Sequence, residues 1–226
     1  MPTELSNVEV RARMSHGTSS DAIYEMVARV LRGRSVQGDI LIDVGCGQGH
    51  LWHYVGDRCK KYLGVDAVKY QGLPPEIEFC LHDLNENQVS LPAATADVVV
   101  SVETIEHLEN PRAFFRELTR LTKPNGWVIV TTPNQLSFLS LLTLLVKRRF
   151  NAFQDVHYPA HITALLEVDL RRIAAESGLE RIEVEYSQRG RMAFSRYHYP
   201  RFISRLLPRL CSDNILVIGR KLGTHA

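Results

Sequence analysis

Glu103, Glu106 and His107 put two carboxylates and an imidazole within five consecutive positions. Spaced i, i+3 and i+4, the three would share one face of a helical turn. A second imidazole, His161, stands in Ala160-His161-Ile162-Thr163, with His157 as a further choice. Carboxylates and imidazoles together are ligand types for a divalent cation, and a bound cation lowers the pKa of a hydroxyl that it touches. Glu103, Glu106, His107 and His161 are therefore the candidate metal ligands. Without a metal, His107 or His161, assisted by Glu106, is the right type of group to take a proton from a hydroxyl. A structural reading stands beside both. Acids suit a first helical turn, where the helix dipole favours them, and a histidine beside a strand end can simply be hydrogen-bonded.

A second group of residues is built to hold a ligand rather than to react. Asp43-Val44-Gly45-Cys46-Gly47-Gln48-Gly49 follows the apolar run Ile40-Leu41-Ile42. Three alternating glycines let the backbone turn tightly and come close to a ligand. A strand that feeds such a loop and then a helix is how α/β proteins hold nucleotide-like cofactors. The dinucleotide form G-x-G-x-x-G is not met, because His50 occupies the place of its third glycine. A nicotinamide enzyme is thereby disfavoured. Asp66, followed by Ala67, closes the next apolar stretch about 20 residues on, where a carboxylate can accept from ribose hydroxyls. Asp83 in His82-Asp83-Leu84 can accept from an adenine amino group while the Leu84 amide reaches a ring nitrogen. Asp43 can accept from the loop amides and face a positively charged ligand end. Each of these three acids has a plainer alternative, as a turn cap or loop anchor.

These residues need elements to position them. The 226 residues, 45% apolar and 23% charged with a net charge of +2, suit one globular domain with a full core. Ser19-Ser20-Asp21 can cap a helix, within which Ile23, Met26, Val27, Val30 and Leu31 repeat with helical spacing. Strand-like segments follow at 40–44, 62–65, 77–81, 97–102, 127–132, 182–186 and 215–219. Helix-like segments fall at about 49–60, 111–122 and 166–177; Asn110 is the cap and Pro111 the first residue of the second. This alternation predicts an α/β, Rossmann-like, doubly wound and mostly parallel sheet. Residues 1 to about 18 read as an N-terminal arm. Cys46, Cys59, Cys80 and Cys211 form no C-x-x-C pair and no leader precedes them, so they read as reduced thiols of a cytoplasmic protein.

The ordered set Asp43–Gly49, Gly64-Val65-Asp66, His82-Asp83-Leu84, Val99–Pro111 and Leu121–Asn134 resembles the motifs of class I S-adenosylmethionine (SAM) dependent methyltransferases. Val102-Glu103-Thr104-Ile105-Glu106-His107-Leu108 with Asn110-Pro111 is closest to the ubiquinone-type O-methyltransferase branch. The resemblance covers about residues 38–180. It implies a seven-stranded sheet whose last strand is antiparallel, SAM above the ends of strands one to four, and Val102 and Glu103 along its methionine portion. Glu-x-x-Glu-His with a later His also resembles the metal-binding pattern of small-RNA 2′-O-methyltransferases.

Two stretches exceed a minimal sheet. Residues 134–160 are far longer than a usual connector of about 2–6 residues, and read as a lid. Within them Phe138–Val146 is apolar and Lys147-Arg148-Arg149 cationic. Such a segment can pack on the core, cover an apolar acceptor or lie on a membrane surface. Residues 188–212 hold six arginines, no acid, and the interleaved Phe194, Tyr197, Tyr199 and Phe202. This basic insertion is either a solvated face or a binding site for phosphate, anionic lipid or nucleic acid. The whole arrangement is similar to methyltransferases that accompany polysaccharide or natural-product assembly. The expectation is methyl transfer to a small-molecule or carrier-linked acceptor, at a hydroxyl oxygen. An RNA end 2′-O-methyltransferase is disfavoured by the near-neutral charge. A SAM-binding regulator without turnover is the remaining alternative.

Overall fold

The computed structural model describes residues 16–86 and 88–223. Most of the expected N-terminal arm lies outside the described residues. Helix α1, Asp21–Gly33, buries the stripe read from the sequence, including Ile23, Met26, Val27, Val30 and Leu31. Ser20 takes the N-cap position in extended conformation, but its side chain makes no capping bond. Seven strands follow: β1 Gly38–Val44, β2 Cys59–Asp66, β3 Ile77–Leu81, β4 Ala96–Ser101, β5 Thr122–Pro133, β6 Leu179–Tyr186 and β7 Asn214–Lys221. They form one sheet in the order β3-β2-β1-β4-β5-β7-β6. β1 pairs in parallel with β2 and β4 (Ile42 opposite Leu63 and Val99), whereas β7 runs antiparallel to β5 and β6. The predicted doubly wound, mostly parallel sheet with an antiparallel last strand is the one found.

The two-residue period of each strand sorts its side chains to opposite faces. Ile42, Val44, Val99 and Val130 enter one core, with Phe114 and Leu118 of helix α3 (Pro111–Leu121) and Leu170 of α5 (Glu167–Glu176). Leu41, Val98, Val100 and Ile129 enter the other, with Met26 and Leu31 of α1. Asn110 caps α3 as expected, its Oδ1 accepting from the Ala113 amide at 3.0 Å.

Two element expectations differ. The helix read over 49–60 is a single turn, α2 Trp52–Val55, followed by a 3-10 turn at Gly56–Arg58. The ring of Trp52 folds over Gly56, where a Cβ would lie 2.2 Å from it, and strand β2 already starts at Cys59. β5 begins at Thr122 rather than 127, because Thr122 pairs with Ala96 ahead of a register shift. The long connector contains helix α4, Phe138–Lys147, and two 3-10 turns at Asn151–Phe153 and Asp155–His157. The basic insertion holds a small hairpin, bridged at Arg191 and His198, and helix α6, Arg201–Leu206.

Candidate functional site

A cavity of about 840 Å³ opens over the C-terminal ends of β1, β2 and β4. This is where ligands bind in open parallel sheets. Gly45 and Gly47 line it with Cys46, Asp66 and Ala67. Gly45 (φ +82°) has no room for a side chain, since a Cβ would lie 2.1 Å from the Thr104 hydroxyl. Gly47 (φ +52°) is equally confined by the Gly17 carbonyl at 2.2 Å. Gly49 lies outside the cavity wall, its open side packed by Ile77, Leu73 and Pro74.

The loop amides do not bond to Asp43, as the sequence reading had them. Gly45 and Cys46 donate to the Val65 carbonyl (2.7 and 3.1 Å), and Gly47 donates to Asp66 Oδ2 (2.8 Å). Strand β2 therefore fixes the loop. Asp66 Oδ1 also accepts from the Val68 amide at 3.1 Å, yet burial still holds its carboxyl above the ordinary value. Asp43, one of the residues lining the cavity, accepts from the Tyr62 hydroxyl at 2.8 Å, while its buried Oδ1 has no partner. Burial, aided by repulsion from Asp66, pushes this carboxyl up to about 7. Beyond β3 the wall is Leu84 and Asn85. Asp83 itself caps the local turn, its Oδ1 accepting from the Asn85 amide at 2.9 Å, and is not part of the wall.

The reactive group lies after β4. Val102 and Glu103 line the cavity, but Glu103 adopts φ +49°, and only Ile105–His107 make a 3-10 turn. The left-handed residue breaks the shared helical face expected from the spacing. Glu103 is turned toward the sheet, where its carboxylate accepts from Thr131 Oγ1 (3.0 Å) and Asn214 Nδ2 (2.8 Å). Glu106 is fully buried; one oxygen accepts from Thr132 Oγ1 at 3.1 Å, and the other has no partner. Burial raises both carboxyls, and Glu106 adds to the rise at Glu103.

The insertion brings the imidazoles together. His107 Nδ1 meets the Ala160 carbonyl at 2.8 Å, and His161 Nδ1 meets the Ala152 carbonyl at 2.7 Å. A carbonyl only accepts, so each Nδ1 carries a proton. Burial and the adjacent His107 push His161 down to about 4, so it is neutral at physiological pH. The two rings stand edge to face at 4.8 Å, and His157 stacks on His161 at 5.4 Å. Ligand atoms of Glu106, His107 and His161 all lie within 4.8 Å of one another. That approaches the roughly 4.2 Å that separates opposite ligands of a shared small cation. The orphaned Glu106 oxygen and two imidazoles fit a divalent ion. Glu103, the fourth candidate, is outside this cluster because Thr131 and Asn214 hold its oxygens.

Sequence reasoning missed Tyr62, Thr131 and Asn214, whose only signal was strand position, and the segment Thr18–Tyr24 that walls the cavity from the other side. It also missed that Arg189, Arg191 and His198 of the basic insertion reach this same cavity.

The sheet order, the glycine loop at the end of β1 and the acid at the end of β2 together define an α/β methyltransferase that depends on SAM. Residues 19–184 match the family described as a methyltransferase domain, and the chain belongs to that family. A probable S-adenosylmethionine-dependent methyltransferase of Mycolicibacterium smegmatis is 29% identical over 123 residues, 52% of this chain and 45% of that one. A ubiquinone biosynthesis O-methyltransferase of Maricaulis maris is 32% identical over 115 residues, covering 46% of this chain and 44% of that one. The chain thus matches about half the length of these curated relatives. In fold, it resembles a Haloferax volcanii methyltransferase solved with the Trm112 methyltransferase activator (TM-score 0.69, 16% identity, 96% and 98% of the two chains). A SAM-dependent methyltransferase of Archaeoglobus fulgidus gives a TM-score of 0.63 at 18% identity, over 88% and 94%.

Proposed function

We propose that this methyltransferase acts on a hydroxyl oxygen, with Glu106, His107 and His161 as the acceptor-activating group. The observation that carries this reading is their convergence on the wall of the cavity that the glycine loop also lines. SAM supplies a methyl group already activated by its sulfonium. In this reading Asp66 accepts from its ribose hydroxyls, Leu84 and Asn85 border its adenine, and Asp43, whose Oδ1 has no partner within the protein, accepts from its ammonium group; their shared place on the cavity wall supports it. Asp83 acts there by shaping the turn. Val102 and the backbone of Glu103 form the floor beside the reacting centre. The cluster has two ways to help a hydroxyl lose its proton. The neutral His161 Nε2 accepts it directly; alternatively Glu106, His107 and His161 would hold a divalent cation, whose chemistry would be to lower the pKa of the hydroxyl. The ubiquinone biosynthesis O-methyltransferase relatives support oxygen as the acceptor atom.

Arg189, Arg191 and His198 of the insertion share the cavity wall with Asp43, Asp66, Glu103 and Glu106, and Arg191 pairs there with Asp213 at 3.5 Å. The acceptor this suits is a small molecule or carrier-linked glycoconjugate bearing a phosphate or carboxylate, in a biosynthetic role. The test is methyl transfer from labelled SAM to a panel of hydroxylated acceptors. H107A and H161A are expected to lose at least about 100-fold in turnover while SAM affinity stays within about twofold. Unchanged turnover in both variants would remove the assignment. Full activity after exhaustive chelation would leave His161 as a metal-free base.

A further inference from the structure

Two helices in this protein are inside out. Surface helices bury their apolar stripe and turn polar residues to water. In α4, Phe138–Lys147, the buried residue is Ser140, whose hydroxyl accepts from the Asn151 amide at 3.2 Å. Leu145 and Val146 of that helix are 81% and 70% exposed, and Phe138, Leu141 and Leu144 are exposed beside them. In α6, Arg201–Leu206, the buried residue is again a serine, Ser204. Phe202 and Leu206, four apart on one face, are 71% and 82% exposed. The chain just beyond α6 is bonded to the start of α4 and to the residues before it. The Phe138 amide donates to the Leu210 carbonyl at 2.8 Å, and Asn134 Nδ2 bonds the Arg209 carbonyl at 2.7 Å. Leu207 and Leu210 extend the apolar surface toward that junction. Contiguous apolar exposure of this kind marks an interaction surface.

The charge around it selects the partner. Lys147, Arg148 and Arg149 end α4, and Arg201 and Arg205 flank the apolar residues of α6. Among the described residues, Arg148, Arg201 and Arg205 enter no ion pair, and the exposed Asp155 is already paired with Arg149. A second copy of this chain would set arginines against arginines. A surface of uniform negative charge and an apolar interior satisfies both features: arginine stems lie along the boundary with their heads at phosphates while leucines and phenylalanines enter the acyl layer. No helix among the described residues is long and apolar enough to cross a membrane.

We propose that α4 and α6 form a docking face by which the protein binds the surface of an anionic lipid bilayer. The two insertions that carry this face also wall the cavity, through Asn151–His161 and Arg189–His198. An acceptor displayed at that surface would enter the site without leaving the interface.

The test is flotation of the full chain with vesicles of phosphatidylcholine alone, or of phosphatidylcholine with an equal part of phosphatidylglycerol. SAM binding is measured in the same preparations, so a failure of docking is separated from a failure of the methyltransferase reading. The chain is expected to float with the anionic vesicles only. Leu145→Asp with Leu206→Asp should abolish flotation. Arg201→Glu with Arg205→Glu should weaken it on the order of 100-fold, as each arginine near such a surface is worth about fivefold and reversal counts more than removal. Equal binding to both vesicle types, or full binding by the leucine variants, would overturn the proposal. So would a concentration-dependent dimer that the leucine variants disperse, which would assign the face to a second copy.

Discussion

Burying Asp43 beneath the glycine loop has two opposed effects. Its carboxyl is pushed up to about 7, chiefly because burial disfavours the charge. The folded chain therefore holds a proton more tightly than the unfolded chain, whose Asp titrates near 3.8. Stability contributed by this site is full below 3.8 and is lost as pH rises from there toward 7. The same charge, unsatisfied at Oδ1, is what a cationic ammonium group would meet. Asp43→Asn keeps an acceptor for the Tyr62 hydroxyl and removes the buried charge. The variant is expected to raise Tm of the unliganded chain at pH 8 and to weaken SAM binding about 10- to 100-fold, the worth of a charged hydrogen bond. Calorimetry of the unliganded and SAM-titrated protein checks both halves. A variant that binds SAM as the parent does would take Asp43 out of the cofactor site. Much of this was legible at the level of residue type: acids at the ends of β1 and β2, histidines on either side of the lid. Orientation was not. The Glu103 spacing promised one face with Glu106, and the left-handed backbone at Glu103, fixed by its amide bond to Thr131 Oγ1 at 3.0 Å, turned it away. That contact joins residues 28 positions apart, beyond the reach of any local pattern.

At the scale of elements, one acid fastens the last third of the chain. Glu167 opens α5 and accepts from the Tyr186 hydroxyl at the end of β6 (2.7 Å). It also pairs with Arg171 one turn along and with Arg209 beyond α6. These hydrogen bonds hold its carboxyl down at about 2 against the ordinary 4.5, although partial burial opposes them. A lowered folded-state value means stability that is present above 4.5 and is lost as pH falls through about 2. Glu167→Gln is expected to cost about 1–2 kcal/mol near neutrality. Thermal melts of both proteins between pH 6 and pH 2 should converge as acid removes the difference. A constant gap across that range would show that the charge plays no part. The elements themselves followed from alternation and caps: α1, α3, α5 and the strands other than β5 stand close to where apolar periodicity put them, and β5 starts earlier, at Thr122. α2 shortened because Trp52 closes over Gly56, a packing choice that helix propensity does not record. α4 was legible as an apolar stretch ending in Lys147-Arg148-Arg149, but that it buries Ser140 and exposes its leucines was not, and the short α6, which buries Ser204 and exposes Phe202, escaped altogether.

The cavity draws its walls from distant parts of the whole molecule. Thr18–Tyr24 before and within α1, the loop at Gly45–Gly47, the cluster at Glu106–Leu108, the lid at Asn151–His161 and the hairpin at Arg189–His198 meet around one space. α1 is tied to the far edge of the sheet as well, through Arg34 on Glu183 and Glu185 and Arg29 on the Tyr186 carbonyl. A ligand filling the cavity therefore bridges segments that would otherwise open separately, and its binding free energy adds to folding only while they stay closed. S-adenosylhomocysteine at about a hundred times its Kd should add about 2.7 kcal/mol. For a chain of this size that raises Tm by about 5–10 °C. The rise should come with slower amide exchange in Thr18–Tyr24 and Asn151–His161, not only in the glycine loop, because all three are walls of the same space. NADH at equal concentration should leave both Tm and exchange unchanged, since His50 stands where a dinucleotide loop needs its third glycine. Protection confined to the loop would mean that the cofactor fills only its own end, leaving the lid and the hairpin to close on the acceptor alone.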